Sequence, residues 1–363
     1  MSKRSLSLLK IFLCGAMAVA ACAANAQGSA AGAKPTKVRF GDVSGIAFPT
    51  LIVARDKGFF KKENIDLEMV YVAGSGAVAE ALASNNIEMG NVAPTTAVLA
   101  ESKGAKMTLV SGYEYTFTDK SGKQWEATFV AVREGEGIRS LKDLRGKRIA
   151  VNDIGSSYNY MLRDQLKQLG MDSRKDVTVV PIPFGQMAGA LVQKQVDVMI
   201  GIADAVFQAR QRMPVSIIGT HTSLEGLDIS LTSAVGVGNE FLKKDPDAVV
   251  RFLRALLQAR EWMDKAVASN NPELLDLVTR AMKYTPERAK TFWETRGGYY
   301  GNDLAFVNTL DIPERLIKRQ VEILKSAELM PANKSYTYGD FVDISHLRKA
   351  YESLGMKWDA AKH

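Results

Sequence analysis

Short apolar strands alternate with amphipathic helices along most of this chain, and the alternation runs through two successive series. The first series spans Lys37 to about Thr128, and the second spans about Val132 to Ile218. Such alternation predicts an α/β fold with mostly parallel sheets that are covered by helices on both faces. About 335 residues follow the N-terminal leader, which is more than one hydrophobic core usually holds, so we expect two lobes.

The predicted strands are short runs rich in β-branched residues. Beyond Asn239 the chain becomes helical, and Asp245-Pro246 supplies an N-cap and a first-turn proline. Between the two series, Tyr113–Glu126 is polar and predicts a hairpin or loop insertion near the crossing between lobes. The strands are 38–43, 67–72, 87–92, 107–112, 128–132, 148–151, 177–182, 196–200, 215–218 and 233–237, and the helices include 49–60, 77–83, 94–102, 158–169, 186–193, 272–282 and 313–326.

The first 26 residues have the pattern of a secretory signal. A basic region precedes an apolar run, and Ala24-Asn25-Ala26 forms a small-residue cleavage site. We therefore expect a cleaved signal peptide and a periplasmic protein that begins at Gln27. Two alternatives stay open: an uncleaved anchor helix, and a lipoprotein in which Val19-Ala20-Ala21-Cys22 directs lipidation of Cys22.

Composition argues against several classes of site. Both cysteines, Cys14 and Cys22, lie in the signal, so the secreted chain has no disulfide, thiol nucleophile or thiolate metal site. The three histidines, His221, His346 and His363, are not paired at metal-ligand spacing, and we expect no metal and no cofactor. Loss of the three basic signal residues lowers the net charge from +7 to about +4 without a basic stripe, so no nucleic-acid partner is expected.

Five segments follow predicted strands at the position where open α/β sheets bind ligands. Each combines glycine or a small hydroxyl residue with the start of a helix, where backbone N–H groups and the helix dipole attract an anion. Ordinary helix capping explains each segment taken alone, so their convergence on one sheet edge is a hypothesis. The segments are Ser44-Gly45, Gly74-Ser75-Gly76, Ala93-Pro94-Thr95-Thr96, Gly155-Ser156-Ser157 and Phe184-Gly185-Gln186.

Aromatic and acidic residues near these segments are further candidates. Tyr113 and Tyr158 are placed to stack on a ligand, although packing in the core is the commoner role of such rings. Glu88, Glu114 and Asp204 are candidate acids, but the sequence pairs none of them with a base and contains no Gly-x-Ser-x-Gly elbow. We therefore expect no catalytic residue.

Several linked motifs resemble those of the solute-binding proteins of the nitrate/sulfonate/taurine group of ABC transporters. The family's A-x-x-x-G-F/Y-F helix end and the following strand are matched at Thr50–Val72, where Glu63-Asn64-Ile65 stands in place of a glycine turn. A departure occurs at Ile202–Ala205, where many relatives have a W-D-P-like turn and this chain keeps Asp204 alone. The matching segments cover nearly the whole secreted chain: TLIVARDKGFFKKENIDLEMVYV at 50–72, GSGAVAEALASNNIEMGNVAP at 74–94, SLKDLRGKRIAVNDIGSSYNYML at 140–162, LVQKQVDVMIGIADAVFQAR at 191–210 and DPDAVVRFLRALLQAREW at 245–262.

The resemblance implies a two-lobed periplasmic binding protein fold of type II, with the ligand in the cleft between the lobes. We divide the chain into a signal at 1–26, a first lobe at 37–130 completed by about 232–363, and a second lobe at 131–225. The implied function is capture of a small organic anion by a monomer that delivers it to an ABC permease in the inner membrane. The expected ligand-binding residues are Ser44, Gly45, Ser75, Gly76, Pro94, Thr95, Ser156 and Ser157, to which we add Tyr113, Tyr158 and Asp204.

Two other functions stay open at this point. An enzyme of the same fold, acting on a small molecule, requires an acid and a base that face each other in the cleft. A sensor that binds its ligand without transport requires the same cleft as a transport protein. Neighbouring permease and ATPase genes would favour transport over sensing.

We predict that export by a bacterial host removes residues 1–26 and leaves Gln27 at the N-terminus. Intact-mass measurement of the exported protein tests this prediction, because each processing route leaves a different mass. A diacyl or triacyl adduct on Cys22 would contradict the soluble form and support the lipoprotein alternative.

Overall fold

The computed structural model describes residues 34–43, 49–118, 124–126, 128–290 and 309–358. The predicted signal at 1–26 and two of the predicted site residues, Ser44 and Gly45, lie outside these ranges. None of the helices in the described ranges combines the length and the hydrophobicity that a membrane span requires.

Two β-sheets flanked by helices form the framework, as the α/β prediction requires. The strand order is β2-β1-β3-β11-β4-β5 in the first sheet and β10-β6-β9-β7-β8 in the second. The strands are β1 Thr36–Val43, β2 Ile65–Val72, β3 Met89–Val92, β4 Met107–Thr118, β5 Gln124–Trp125, β6 Thr128–Arg133, β7 Arg148–Val151, β8 Thr178–Pro181, β9 Val198–Ile202, β10 Val215–Thr220 and β11 Ile229–Gly238.

Both sheets are mixed, whereas the sequence predicted mostly parallel sheets. Strand β1 is parallel to β2 and β3, and β7 is parallel to β8 and β9. Strand β11 runs antiparallel to β3 and β4, and β6 runs antiparallel to β9 and β10. The chain passes from the first sheet into the second at β6, and it returns to the first sheet at β11. A parallel neighbour needs a crossover connection within its own sheet, and these two strands have none.

The helices follow the predicted pattern with one break. The segment 49–60 forms two helices rather than one, because Gly58 adopts a left-handed conformation with φ 74° and ends the first. The helices used below are α1 Pro49–Asp56, α2 Phe59–Lys62, α3 Ser75–Ala83, α4 Pro94–Ser102, α5 Ser157–Gln168, α6 Phe184–Val192, α7 Ala203–Arg210, α8 His221–Glu225, α9 Asn239–Lys244, α10 Pro246–Ala268, α11 Pro272–Met282, α12 Glu314–Ser326 and α13 Ser345–Ser353.

Strand β4 is longer than the sequence predicted. The prediction ended the strand at Gly112, but the strand continues to Thr118 and pairs with β5 in an antiparallel hairpin. The reason is that Tyr113, Tyr115 and Phe117 are all buried, so the segment that reads as a polar insertion contributes side chains to the core.

The first sheet is closed by α10, whose apolar face packs on it. The ring of Phe252 on α10 stacks on Phe40 of β1 with centroids 5.4 Å apart. A smaller apolar cluster lies between the second sheet and the helices α6 and α7, and Met187 and Met199 in this cluster are fully buried. Burial of large apolar side chains of this kind contributes about 1.5–3 kcal/mol each to folding.

The chain crosses between the sheets twice, and the two crossings are bonded to each other. The first crossing joins β5 to β6 through Glu126, and the second joins β10 to β11 through α8. The hydroxyl of Thr222 on α8 donates to the carboxylate of Glu126, and the Thr222 N–H approaches the other oxygen at 3.5 Å. The lobe limits at 130 and 225 stay a prediction.

A buried carboxyl group lies directly beside these crossings. Glu225 is fully buried, accepts a hydrogen bond from the side chain of Gln320 on α12, and lies 3.7 Å from the ring of His221. Burial raises the pKa of Glu225 to about 8 and lowers the pKa of His221 to about 3. Near neutral pH the carboxyl is therefore mostly protonated and the imidazole is neutral. We call Glu126, His221, Thr222, Glu225 and Gln320 the crossing cluster.

We predict that Glu225→Gln keeps stability near neutral pH and changes its pH dependence. The pKa of Glu225 is about 8 in the folded protein, above the usual 4.5, so the carboxyl stabilises the fold fully below pH 4.5. This contribution declines as pH rises and is lost through about pH 8. The glutamine variant should therefore lose less stability than the parent between pH 5 and 8.

Urea unfolding of the parent and the variant across this pH range measures the difference. Glu240→Gln, at an exposed glutamate on α9, is the matched control and should follow the parent. Parallel profiles for the parent and Glu225→Gln would show that Glu225 is ionised in the folded protein.

Candidate functional site

A cavity lies between the two sheets and is lined by residues of both. Its volume is about 40 Å³, which is room for a few non-hydrogen atoms, so a larger ligand needs the walls to separate. Of the described residues that line it, Glu114 alone has a carboxyl group. The lining residues are Val43, Ser75, Asn91, Ala93, Glu114, Asn152, Ser156, Ser157, Tyr158, Phe184, Ile202, Thr232 and Ser233.

The second sheet contributes the N-terminus of α5 to the cavity. Ser156 is the N-cap, and its hydroxyl accepts from the N–H of Asn159 and donates to the carbonyl of Asp153 at 2.7 Å. Ser157, the first helical residue, is buried beside it. The first-turn N–H groups and the dipole of this 12-residue helix make this end of the cavity favourable for an anion or a carbonyl oxygen.

The first sheet contributes the start of α3, and here the two sides of the cavity touch. The hydroxyl of Ser75 accepts a hydrogen bond from the N–H of Ala93 at 3.2 Å. A β-carbon on Gly74 would lie 3.0 Å from a carboxylate oxygen of Asp153, which follows β7 in the second sheet. Thr96 on α4 donates to the carbonyl of Gly155 at 3.3 Å. The structure is therefore closed across the cavity at this edge.

Tyr158 links the cavity wall to the crossing cluster. Its hydroxyl accepts from Thr128 at 2.9 Å. Its ring meets Phe184 edge-on at 5.9 Å and His221 edge-on at 5.6 Å. Tyr158 in the cavity wall is therefore packed against α8, which forms the second crossing.

The structure brings Ser75, Ser156, Ser157 and Tyr158 together around the cavity. Gly76 lies next to this group, where its β-carbon would be 3.4 Å from Asp153.

Four other predicted site residues lie elsewhere among the described residues. Thr95 is buried and donates to the side-chain oxygen of Gln320, with Pro94 forming the first turn of α4 before it. Tyr113 packs against Phe40 in the core of the first sheet. Asp204 forms a two-bond ion pair with Arg288. The sequence could not show the partners of Thr95 and Asp204, because each partner lies 84 or more residues away along the chain.

The structure adds lining residues that the sequence did not single out as ligand contacts. Asn91 lies in β3, Thr232 and Ser233 lie in β11, and Asn152 follows β7. Glu114, considered above as a candidate acid, lies in β4 within the stretch predicted to be a loop. In the sequence, the signal was a polar residue placed among three aromatic residues, which are buried in the structure. A polar side chain in such a stretch is expected to face a polar space.

A second carboxyl group near the cavity is that of Asp42, which is hydrogen-bonded to the lining residue Asn91. Asp42, at the end of β1, is 3% exposed, and burial raises its pKa to about 7 against the opposing effect of hydrogen bonds from Asn91 and from the N–H of Val43. Within the described ranges, no group of three or more histidine, cysteine, aspartate or glutamate side chains could hold a metal ion.

Comparison with known proteins supports the fold and identifies a family. A family model described as NMT1/THI5 like matches residues 46–269. YtlA of Bacillus subtilis, which is named as a binding protein, is 24% identical over 65% of this chain and 68% of its own length. THI11 of Saccharomyces cerevisiae, a 4-amino-5-hydroxymethyl-2-methylpyrimidine phosphate synthase, is 24% identical over 59% of this chain and 62% of its own.

A solved structure shows the same fold. The alkanesulfonate-binding protein SsuA of Xanthomonas axonopodis pv. citri, bound to MOPS, superposes with a TM-score of 0.64 at 18% identity. The match covers 82% of this chain and 96% of that protein. The sequence motifs resemble those of sulfonate-binding proteins, and this structure confirms the resemblance for the fold.

We predict that Gly74→Val holds the cavity open. Gly74 has an extended backbone that accepts any residue, so the only cost of a side chain is its collision with Asp153. Small-angle scattering should give a larger radius of gyration for the variant than for the parent. Gly339→Val is the matched control, since a β-carbon there meets nothing within 4 Å. A radius equal to that of the parent and the control would show that the contact at Gly74 does not limit closure.

Proposed function

We propose that this chain, which belongs to the NMT1/THI5-like family, is a periplasmic solute-binding protein that encloses a small organic anion between its two sheets. The observation that carries the proposal is the cavity, which takes its walls from both sheets and meets the N-terminus of α5. A site whose walls belong to two different sheets can open to admit a solute and close around it.

The anionic group of the solute belongs at the start of α5. Backbone N–H groups of the first turn and the hydroxyl of Ser157 are the donors at this end, and Ser75 adds a hydroxyl from the opposite wall. Ser44 and Gly45 follow Val43 in the sequence, and they stay predicted ligand-binding residues because Val43 lines the cavity. Thr95, Pro94, Tyr113 and Asp204 do not line the cavity and act on the site only indirectly.

Delivery to a permease completes the proposal. The fold is that of an alkanesulfonate-binding protein, and the N-terminal sequence has the pattern of a cleaved secretory signal. We therefore infer a monomer that carries its solute through the periplasm to an ABC permease in the inner membrane. A protein that uses the same cavity for sensing would lack that permease contact.

An enzymatic function is the second candidate, because one relative is named as a synthase. The cavity favours binding over chemistry, since its described lining residues include one carboxyl group, that of Glu114, and no histidine or lysine to pair with it. His221 lies behind Tyr158, and burial lowers its pKa to about 3, which makes its imidazole too weak a base to take a proton from a molecule in the cavity near neutral pH.

We predict that Ser157→Glu abolishes binding without unfolding the protein. An acid is well tolerated in the first turn of a helix, but here it would place a negative charge where the anion is proposed to bind. Thermal shift with a panel of carboxylates and sulfonates of one to four carbons, with and without amino groups, measures binding through the rise in melting temperature. At least one member should stabilise the parent and leave Ser157→Glu unchanged.

The matched control is Ser345→Glu, the same change at the first residue of α13 on an exposed position. This variant should respond to the panel as the parent does. If no member of the panel stabilises the parent, or if Ser157→Glu responds equally, the proposed function at this site is wrong.

A further inference from the structure

An ion pair joins a helix of the second sheet to a segment that is anchored on the first sheet. Asp204 lies in the first turn of α7, and both of its carboxylate oxygens accept from the guanidinium of Arg288, one from Nε and the other from Nη2. A carboxylate and a guanidinium paired in this two-bonded geometry form one of the stronger polar contacts in proteins. We call Asp204 and Arg288 the bridging pair.

Asp204 is fixed to a wall of the cavity. It comes two residues after Ile202, which ends β9 and lines the cavity. Helix α7 starts at Ala203 and packs on β9 and on the neighbouring strands of the second sheet. Any motion that carries this wall away from the opposite wall therefore carries Asp204 with it.

Arg288 is fixed to the first sheet through α11. Lys283 ends α11 in a left-handed conformation with φ 52°, and the hydroxyl of Thr285 then accepts from the N–H of Arg288 at 3.3 Å. The guanidinium lies over the ring of Tyr284, 4.2 Å from its centroid. Helix α11 packs on α1 and on α10, the helix that closes the first sheet. Arg288 is therefore held in place on the side of the cavity opposite to α7.

We propose that the bridging pair is an ionic latch, which holds the two walls of the cavity together and has to break before the cavity opens. This inference rests on the proposed function, because a latch has a use only where a cavity opens and closes. Asp204, expected from the sequence to bind the ligand, thereby acts on closure and not on the solute itself.

The latch controls how firmly a solute is held. A solute enclosed between the walls leaves only after they separate, so the closed-to-open ratio enters its apparent affinity directly. The side chains of Asp204 and Arg288 are 14% and 30% exposed, so water screens the pair in part. Loss of the pair should lower the closed-to-open ratio by about fivefold, which is the upper end of the range for ion pairs that water reaches.

The distance between two spin labels reports opening without any solute. Both native cysteines lie in the predicted signal, so Tyr71→Cys combined with Ile154→Cys supplies the labelling sites of the secreted chain. Both positions are exposed. Tyr71 comes three residues before Gly74, and Ile154 directly follows Asp153, so the labels lie on either side of the edge at which Gly74 and Asp153 approach each other.

Three variants in this labelled protein test the latch. Arg288→Met removes the charge and keeps most of the length of the side chain, and pulsed electron spin resonance should show a longer-distance population that grows about fivefold relative to the short one. Arg288→Asp should enlarge that population further, because two carboxylates then face each other. Adding Asp204→Arg to Arg288→Asp restores a pair of opposite charges and should bring the short distance back.

Arg39→Met is the matched control. Arg39 forms a two-bonded ion pair with Glu88, and the two side chains are 35% and 19% exposed, but this pair joins β1 to the residue before β3 within the first sheet. The control should therefore keep the distances of the parent. Asp204→Asn removes the charge from the other partner with no change of shape, and it replaces Arg288→Met in the test if that variant does not fold.

The outcomes separate this inference from the proposed function. Unchanged distances in both Arg288→Met and Asp204→Asn would overturn the latch, and so would an equal lengthening in Arg39→Met, which would indicate a general loss of stability. A charge exchange that fails to restore the short distance would also overturn it, because the attraction between the two charges would then not be what closes the walls. The solute panel with Ser157→Glu decides on the proposed function by itself, since no variant of the latch changes the start of α5.

Discussion

The bond between Glu126 and Thr222 joins the two places where the chain passes from one sheet to the other. Both crossings are therefore held together at one point, and this is where we propose the pivot for closure around a solute. The uncharged Glu225 and the side chain of Gln320 fill the space beside that bond without placing a net charge in it. The hydrogen bonds between Glu126 and Thr222 and between Gln320 and Glu225 hold side chains of both crossings and of α12 at one place.

Tyr158 connects this pivot to the cavity. Its ring touches His221 of the crossing cluster on one side and Phe184 of the cavity wall on the other, so motion at the crossings moves the wall. At the far edge, Gly74 lets the Asp153 carboxylate approach the start of α3 closely. Closure thus depends on a buried pivot and on a glycine that leaves room for the opposite side.

The order of strands and helices could be predicted from the sequence, because the spacing of apolar residues and the residues that begin or end an element are local properties. The convergence of Ser75, Ser156 and Ser157 was also predictable, since each follows a strand and opens a helix. Thr95 shows the limit of that reasoning: its hydroxyl bonds Gln320, 225 residues away, and nothing local indicates such a partner. The shift in register between β4 and β11, where Leu231 lies opposite Tyr115 and Ser233 lies opposite Glu114, was invisible for a related reason, because register is set by the pairing of two distant strands.

A crystal structure of the protein purified without unfolding, from a host that exports it, tests the central claim most directly. The account predicts electron density for a small molecule between the first turn of α5 and the opposite wall of the cavity, with an acidic group near Ser157. An empty cavity in crystals soaked with a compound that stabilises the protein, or density for that compound at another place, would contradict it.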